Sequence, residues 1–266
     1  MNDAVFWRKP WVSMVPAVAA ALLIGVLAAD ANRHWFGVIN AWSAQTGATP
    51  WPYVTILGDT AVALALMAPL VFRRPGLAWA LAIGAVAATA FVHVGKPIFS
   101  APRPPGVLVP PDIIVIGPAY SAHSFPSGHT TTIFLAAGLC ALHLANPALR
   151  TLVIAVAIVV GLSRIVVGVH WPVDVLAGAI GGWLSAVLGV AVAQRWPAGA
   201  GPRAHLVWIV VTLGCAVALL AGLKTGYPQA APLQYAIGAG ALLITLALWL
   251  RQRAESGTDL SAKDRQ

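Results

Sequence analysis

Ser163-Arg-Ile-Val-Val-Gly-Val-His-Trp-Pro-Val-Asp174 joins two apolar runs, roughly 149–168 and 173–194, and places an arginine, a histidine and an aspartate in lipid-compatible sequence. Polar groups of this kind are expensive in a bilayer core unless they face one another, a cavity or water, so a cluster of them at one helix-to-helix junction reads as a site. The flanking runs decide the fold class. Each is about 20 residues long, enough to cross a hydrocarbon layer as a helix rising ~1.5 Å per residue, and Pro172 suits the first turn of the second helix.

Working outward, composition agrees. Of 266 residues, 59% are apolar and 9% charged, and mean hydropathy is +0.81. That leaves too little polar surface for a soluble globule of this length, so the expected fold is all-α, a polytopic membrane helical bundle without a large soluble domain. The net charge of +8 does not point to nucleic acid, because Lys and Arg occur singly or in pairs between apolar runs, as topology signals do. Cys140 and Cys215 lie inside apolar runs without CxxC spacing and read as packing residues, neither disulfide partners nor metal ligands. The first run follows Arg8, Lys9 and Pro10 and ends in Asp30-Ala-Asn-Arg33 without a good cleavage pattern, so it is expected to be a retained span.

Runs long enough to span are found at roughly 12–29, 53–72, 77–94, 128–145, 149–168, 173–194, 205–223 and 233–250, which predicts eight spans. With the N-terminus cytoplasmic, Arg8, Lys9, Arg73, Arg74, Arg150, Arg195, Arg203, Arg251, Arg253, Lys263 and Arg265 share one side, and only Arg33, Lys96, Arg103 and Lys224 the other. This bias places both termini in the cytoplasm and the charge-poor loops on the outer side. Trp7, Trp11, Trp35, Trp51, Trp171, Trp196 and Trp249 fall near span ends, as an aromatic belt requires. The expected organisation is a six-span core over 1–204, two additional transmembrane helices over 205–250, and a charged, disordered cytoplasmic tail over 251–266. The long connection from Lys96 to Ser127 carries a proline cluster that discourages regular helix, while Ile113-Ile-Val-Ile116 is apolar enough for a short interfacial element or a lid.

Under this topology three polar clusters meet at one outward face: Lys96-Pro-Ile-Phe-Ser-Ala-Pro-Arg103-Pro104, Phe125-Pro126-Ser127-Gly128-His129, and Ser163–Asp174. Their contents suit phosphate. Lys96, Arg103 and Arg164 supply cations, Arg with a planar fork that matches phosphate oxygens. Ser127 is placed to cap the fourth span, and the free N–H groups at Gly128 form an anion site at its N-terminus. His170 and Asp174 are four residues apart, so the carboxylate can fix the imidazole tautomer and leave the other ring nitrogen free to attack phosphorus. His129, on a different helix, can approach from the far side and protonate the leaving oxygen. These cations offset charge on the equatorial oxygens, so neither a metal nor another cofactor is required.

Lys96-x6-Arg103-Pro104, Pro126-Ser127-Gly128-His129 and Ser163-Arg164-x5-His170-x3-Asp174 together resemble the three-part signature of the type 2 phosphatidic acid phosphatase superfamily, over a core of roughly 12–194. The resemblance implies a membrane lipid phosphatase that removes phosphate from a lipid phosphate or diphosphate, without metal, through a phosphohistidine. Carried over by position, His170 is the nucleophile, Asp174 its orienting partner and His129 the general acid, with Lys96, Arg103, Ser127, Gly128 and Arg164 holding the phosphoryl group and Ser163 supporting them. The implied substrates include undecaprenyl pyrophosphate, phosphatidylglycerol phosphate, phosphatidic acid and lipid A phosphates, presented by the surrounding membrane lipids. A lipid phosphotransferase is the alternative within the same chemistry. A non-catalytic lipid transporter and a relative of the vanadate-dependent haloperoxidases are more distant readings. The two C-terminal runs depart from the common six-span arrangement.

The remaining polar residues are given smaller parts. His93 reads as a packed or supporting histidine and His123 as a loop residue at the cavity rim. Asp59 falls two turns inside the second run, where it needs a structural partner or a proton. His34, His143 and His205 lie too far from the clusters to act. Gly178-x3-Gly182 predicts a close helix contact.

Overall fold

The computed structural model describes residues 9–263, with side chains as far as Glu255. Trp7, Arg8 and Arg265 lie outside the described residues. Among the described residues the chain is helical and has no strands. Its helices are α1 (Pro10–Ala28), α2 (Asn32–Asn40), α3 (Trp42–Thr46), α4 (Pro50–Thr55), α5 (Thr60–Arg73), α6 (Pro75–Phe99), α7 (Gly128–His143), α8 (Pro147–Val166), α9 (Pro172–Arg195), α10 (Pro202–Leu220) and α11 (Ala231–Lys263). Six of them, α1, α6, α8, α9, α10 and α11, are long and apolar enough to cross a membrane. The run at 128–145 forms α7, which has 16 residues.

The expected second span is not one helix. It is broken between α4 and α5 with a bend of 67°, and Asp59 causes the break. Its backbone is extended and its side chain accepts from Ala61 N and Val62 N as the N-cap of α5. A carboxylate that looked unpartnered inside a continuous run is therefore satisfied at a helix start. The residues between α1 and α4, for which no element was expected, form two short helices. The tail is also corrected: helix continues from Arg251 to Lys263, and Arg251 Nε donates to Glu255 Oε1 at 3.1 Å, one turn along. Continuation of an already formed helix avoids the cost of a new nucleus, which the charged composition alone did not reveal.

The core is built around α9, which packs on α6, α7 and α1. Gly178 and Gly182 let α9 approach α7 backbone to backbone, as their spacing predicts. A Cβ on Gly178 would lie 2.8 Å from the Ser127 carbonyl, and one on Gly182 2.2 Å from that of Thr131. This approach allows Ser127 N–H to donate to the Asp174 carbonyl at 3.1 Å, locking the starts of two helices together. Farther along, Trp183 is fully buried and donates from Nε1 to the Val12 carbonyl at 2.8 Å. On the other side, α5, α10 and α11 pack through Val62, Ala65, Ala68, Ala216, Leu219, Ile237 and Ala241. His205 Nε2, at 2.7 Å from the Val71 carbonyl, pins the start of α10 to the end of α5.

The connection between α6 and α7 has one short 3-10 turn, Pro104–Gly106, and otherwise follows an irregular path across the α8–α9 junction. The Asn40 amide holds it there, accepting from Ile114 N at 2.8 Å and donating to the carbonyls of Ile114 and Val166 at 2.8 and 3.0 Å. Ile116 N donates to Val167 O at 3.1 Å, and Leu108, Ile113 and Ile116 are buried. Gly168 turns the junction at φ +82°, with its α-carbon face against the Ile114 carbonyl, a place no side chain can take. The segment is thus an irregular cover packed over the junction.

Candidate active site

α6 ends, α7 and α9 begin, and α8 ends at the same pole of the bundle, so the motif residues converge there. Asp174 occupies the first turn of α9, and its side chain accepts from the Trp171 backbone N–H at 2.8 Å. It also accepts from Ser124 Oγ at 2.5 Å and faces His170 Nδ1 at 3.2 Å. On the other edge of the ring, Arg103 Nη1 lies 3.2 Å from His170 Nε2. A guanidinium can only donate, so Nε2 is the unprotonated nitrogen and Nδ1 carries the hydrogen given to Asp174. The tautomer expected from the four-residue spacing is therefore the one these contacts require.

Arg103 is 8% exposed. It donates from Nε to the Ala122 carbonyl at 2.9 Å and from Nη1 to Val169 O at 3.2 Å, so it ties the α6–α7 connection to the junction as well as facing His170. Arg164, in the last turn of α8, is 2% exposed and donates from Nη1 to Thr55 Oγ1 at 2.5 Å. Its Nε is buried without a hydrogen-bond partner, and so is His129 Nε2. Lys96 is half-buried in the last turn of α6, within electrostatic reach of Arg103, Arg164 and Asp174. His129 lies within reach of the same cations and of His170. Ser127 caps α7, its Oγ accepting from Thr130 N at 3.4 Å and from Thr130 Oγ1 at 2.9 Å, which leaves its own hydroxyl proton available.

Ser163 is the exception. It is fully buried, and its hydroxyl donates to the Val160 carbonyl at 2.6 Å, so it satisfies a helix backbone and does not support the phosphate cluster. His93 is exposed with Nδ1 3.0 Å from Thr89 O, and His123 lies on the loop at φ +53°, its Nδ1 3.5 Å from the Lys96 carbonyl. Ser124, Thr55 and Tyr227 were missed by sequence reasoning. Ser124 lies three residues before Ser127, close enough to have been suspected, whereas Thr55 and Tyr227 come from segments that carry no signature.

Three cations gather at this pole against Asp174 and Asp59, and both carboxylates are already engaged by donors of their own. Two buried guanidiniums, one with an orphaned Nε, are donors and charges of the kind an anion would satisfy. The same charges act on His170. Burial foremost, and then Arg103, Arg164 and Lys96, hold its imidazole well below the ordinary histidine range. The sign follows: below about pH 6.5 the unfolded chain takes up a proton that the folded ring refuses, so stability present above that pH falls as acid is added. Melting in detergent, followed from pH 7 to 5, is expected to lose less on acidification in H170Q than in the wild type; an equal pH dependence in the two would remove His170 as a contributor.

A cavity of about 430 Å³ opens beside His129 and Gly128. Its walls come from four helices and are mostly apolar, with Met67 of α5, Val92 of α6, Leu135 of α7 and Trp208 of α10 among them and threonines and His93 between.

Known proteins can now be set beside this geometry. The PAP2 superfamily profile matches residues 77–198. A decaprenylphosphoryl-5-phosphoribose phosphatase of Mycolicibacterium smegmatis is 36% identical over 168 residues, which is 63% of this chain and 84% of that protein. A lipid A 1-phosphatase of Rhizobium etli is 46% identical over 72 residues, so the chain spans only 30% of that relative's length and the match takes up 27% of the chain. An undecaprenyl-diphosphatase of Sulfolobus acidocaldarius is 34% identical over 119 residues, 44% of this chain and 56% of that one. Among solved structures, Aquifex aeolicus LpxE superposes with a TM-score of 0.55 at 26% identity, over 60% of this chain and 94% of its own. The profile covers Lys96, Arg103, Ser127, Gly128, His129, Arg164, His170 and Asp174, and one relative extends the likeness over most of its length: the chain belongs to the PAP2 superfamily.

Proposed function

We propose that the protein is a membrane lipid phosphatase that hydrolyses a lipid phosphomonoester or diphosphate through a phosphohistidine. The observation that carries this reading is the buried cationic pole, where the orphaned Arg164 Nε–H is a donor without an acceptor and His170 Nε2 carries its lone pair beside the Arg103 guanidinium, with His129 Nε2 also unpartnered. Phosphate oxygens would draw the Arg103 guanidinium away from Nε2 and free its lone pair. Nε2 then attacks phosphorus as the bond to the lipid oxygen breaks, the leaving oxygen taking a proton from His129. Water next attacks phosphorus, giving its proton to His129. The N–P bond electrons return to Nε2, and inorganic phosphate departs. Asp174 supports the positive charge that develops on the ring, and Lys96, Arg103, Arg164 and the α7 N-terminus at Ser127 and Gly128 stabilise the oxygens.

The apolar cavity supports a lipid as the leaving group, because His129 is among the residues that line it. Lipid A phosphates, undecaprenyl pyrophosphate, phosphatidylglycerol phosphate and phosphatidic acid, along with the phosphorylated decaprenyl sugar named for one relative, share the headgroup chemistry. In topology, α1, the bent α4–α5 pair, α6, α7, α8, α9, α10 and α11 make eight crossings of a bacterial inner membrane, with both termini cytoplasmic and the site outward. Residues 1–204 form the core. Phosphate release from each of these lipids by purified protein in EDTA tests the assignment, with vanadate as the expected inhibitor. Appearance of a phosphorylated acceptor lipid instead of free phosphate would make the enzyme a phosphotransferase. If the cavity holds the lipid chain, W208L will lower kcat/KM for long-chain substrates by about tenfold, the equivalent of ~1.4 kcal/mol, and leave a short-chain, water-soluble ester unaffected. Equal losses on both substrates would contradict that placement.

A further inference from the structure

The turn between α10 and α11 lies outside residues 77–198, the part matched by the superfamily profile. One of its side chains nevertheless enters the cationic pole. Tyr227 is 3% exposed and packs with Ile56, Ile116, Val167 and Val169. Its hydroxyl stands 3.3 Å from Arg164 Nη1, and the guanidinium carbon lies 6.0 Å from the ring centroid. The same Nη1 donates to Thr55 Oγ1 at 2.5 Å. A guanidinium is planar, with five N–H groups in fixed directions. When two hydroxyls from separate segments hold one terminal nitrogen, rotation of the plane is arrested. The direction of the orphaned Nε–H is then set as well.

We propose that Tyr227 is a positioning residue for Arg164, so that the C-terminal helix pair is part of the phosphate site and not an appendage to it. The hydroxyl accepts from Nη1 behind the guanidinium and aims the remaining N–H groups at the phosphoryl oxygens. The aromatic ring, wedged between the junction at Val167 and Val169 and the covering loop at Ile116, fixes the hydroxyl. This rests on Arg164 gripping the phosphoryl group.

The test uses the full chain in detergent, with Y227F, R164K and the double variant, measuring kcat/KM on a lipid phosphate, vanadate inhibition and melting temperature. Y227F keeps the ring and removes only the hydroxyl. It is expected to lower kcat/KM and weaken vanadate inhibition by a common factor of about ten or more, as befits a hydrogen bond to a charged group, at an unchanged melting temperature. In the R164K background, where the planar fork is gone, it should add nothing. Wild-type values for Y227F would overturn the proposal, as would a loss that multiplies with that of R164K or that follows melting temperature while vanadate inhibition is intact. Wild-type activity in R164K would instead remove the phosphate role of Arg164 itself.

Discussion

H170A is expected to reduce phosphate release by a factor of about 10⁴ or more, because without Nε2 there is no nucleophile and the residual rate comes from binding and charge stabilisation alone. The variant should still bind vanadate, since Arg103, Arg164 and Lys96 stay in place, although with lower affinity. D174N discriminates the proposed role from a merely structural one. Asp174 accepts from Ser124, from the Trp171 N–H and from His170 Nδ1. An amide there can present its NH₂ to Nδ1, stabilise the opposite tautomer and place the hydrogen on Nε2, where it blocks attack; a loss of about 10³ to 10⁴ follows for a nucleophile or base held in the wrong tautomer. Quenching with alkali during turnover should trap labelled phosphate on the wild type in an acid-labile linkage, as an N–P bond requires, and none on H170A. Full activity in H170A, or a label that survives acid, would end the phosphohistidine mechanism.

The convergence of the three motifs was legible because each sits at a helix end, and helix ends announce themselves. Ser127 is a capping residue, Pro172 a first-turn residue, and Asp174 reaches back to the Trp171 N–H from that same turn. The close contact at Gly178 and Gly182 was legible for a similar reason, since small residues one turn apart leave room for a neighbouring backbone. Asp59 shows where pattern reading fails: a hydropathy window averages over 53–72 and cannot register that one capping carboxylate divides the run into two helices at 67°. Ser163 shows the converse, a hydroxyl inside the motif that turns onto its own helix. The supporting contacts of the site were the least visible. Asn40, Thr55 and Tyr227 reach it from 125, 109 and 63 residues away along the chain, and such pairings depend on tertiary packing that local sequence does not encode.

H129A should lower kcat/KM by about 10² to 10⁴, the range for loss of a positioned general acid, and the size of the loss should depend on the leaving group. A lipid alkoxide is a poor leaving group and needs a proton as its bond to phosphorus breaks. A nitrophenolate does not, so p-nitrophenyl phosphate should escape most of the penalty in the first step. Dephosphorylation of His170 should then become limiting, because water in the second step still lacks a base. The phosphoenzyme is consequently expected to accumulate in H129A with the activated substrate and remain scarce with a lipid phosphate, a contrast that distinguishes His129 from a residue that only binds. The position of its ring agrees with this division of labour. Nε2 of His129 is buried without a protein partner, and the ring lines the apolar cavity that would receive the departing lipid, while His170 is fixed at the polar end between Arg103 and Asp174. A leaving group protonated beside an apolar cavity would depart as a neutral alcohol into surroundings that suit it, whereas the charged phosphoryl group would stay among the guanidiniums. Equal losses for both substrates in H129A, with no accumulation of phosphoenzyme, would assign His129 to phosphate binding and leave the proton to another donor.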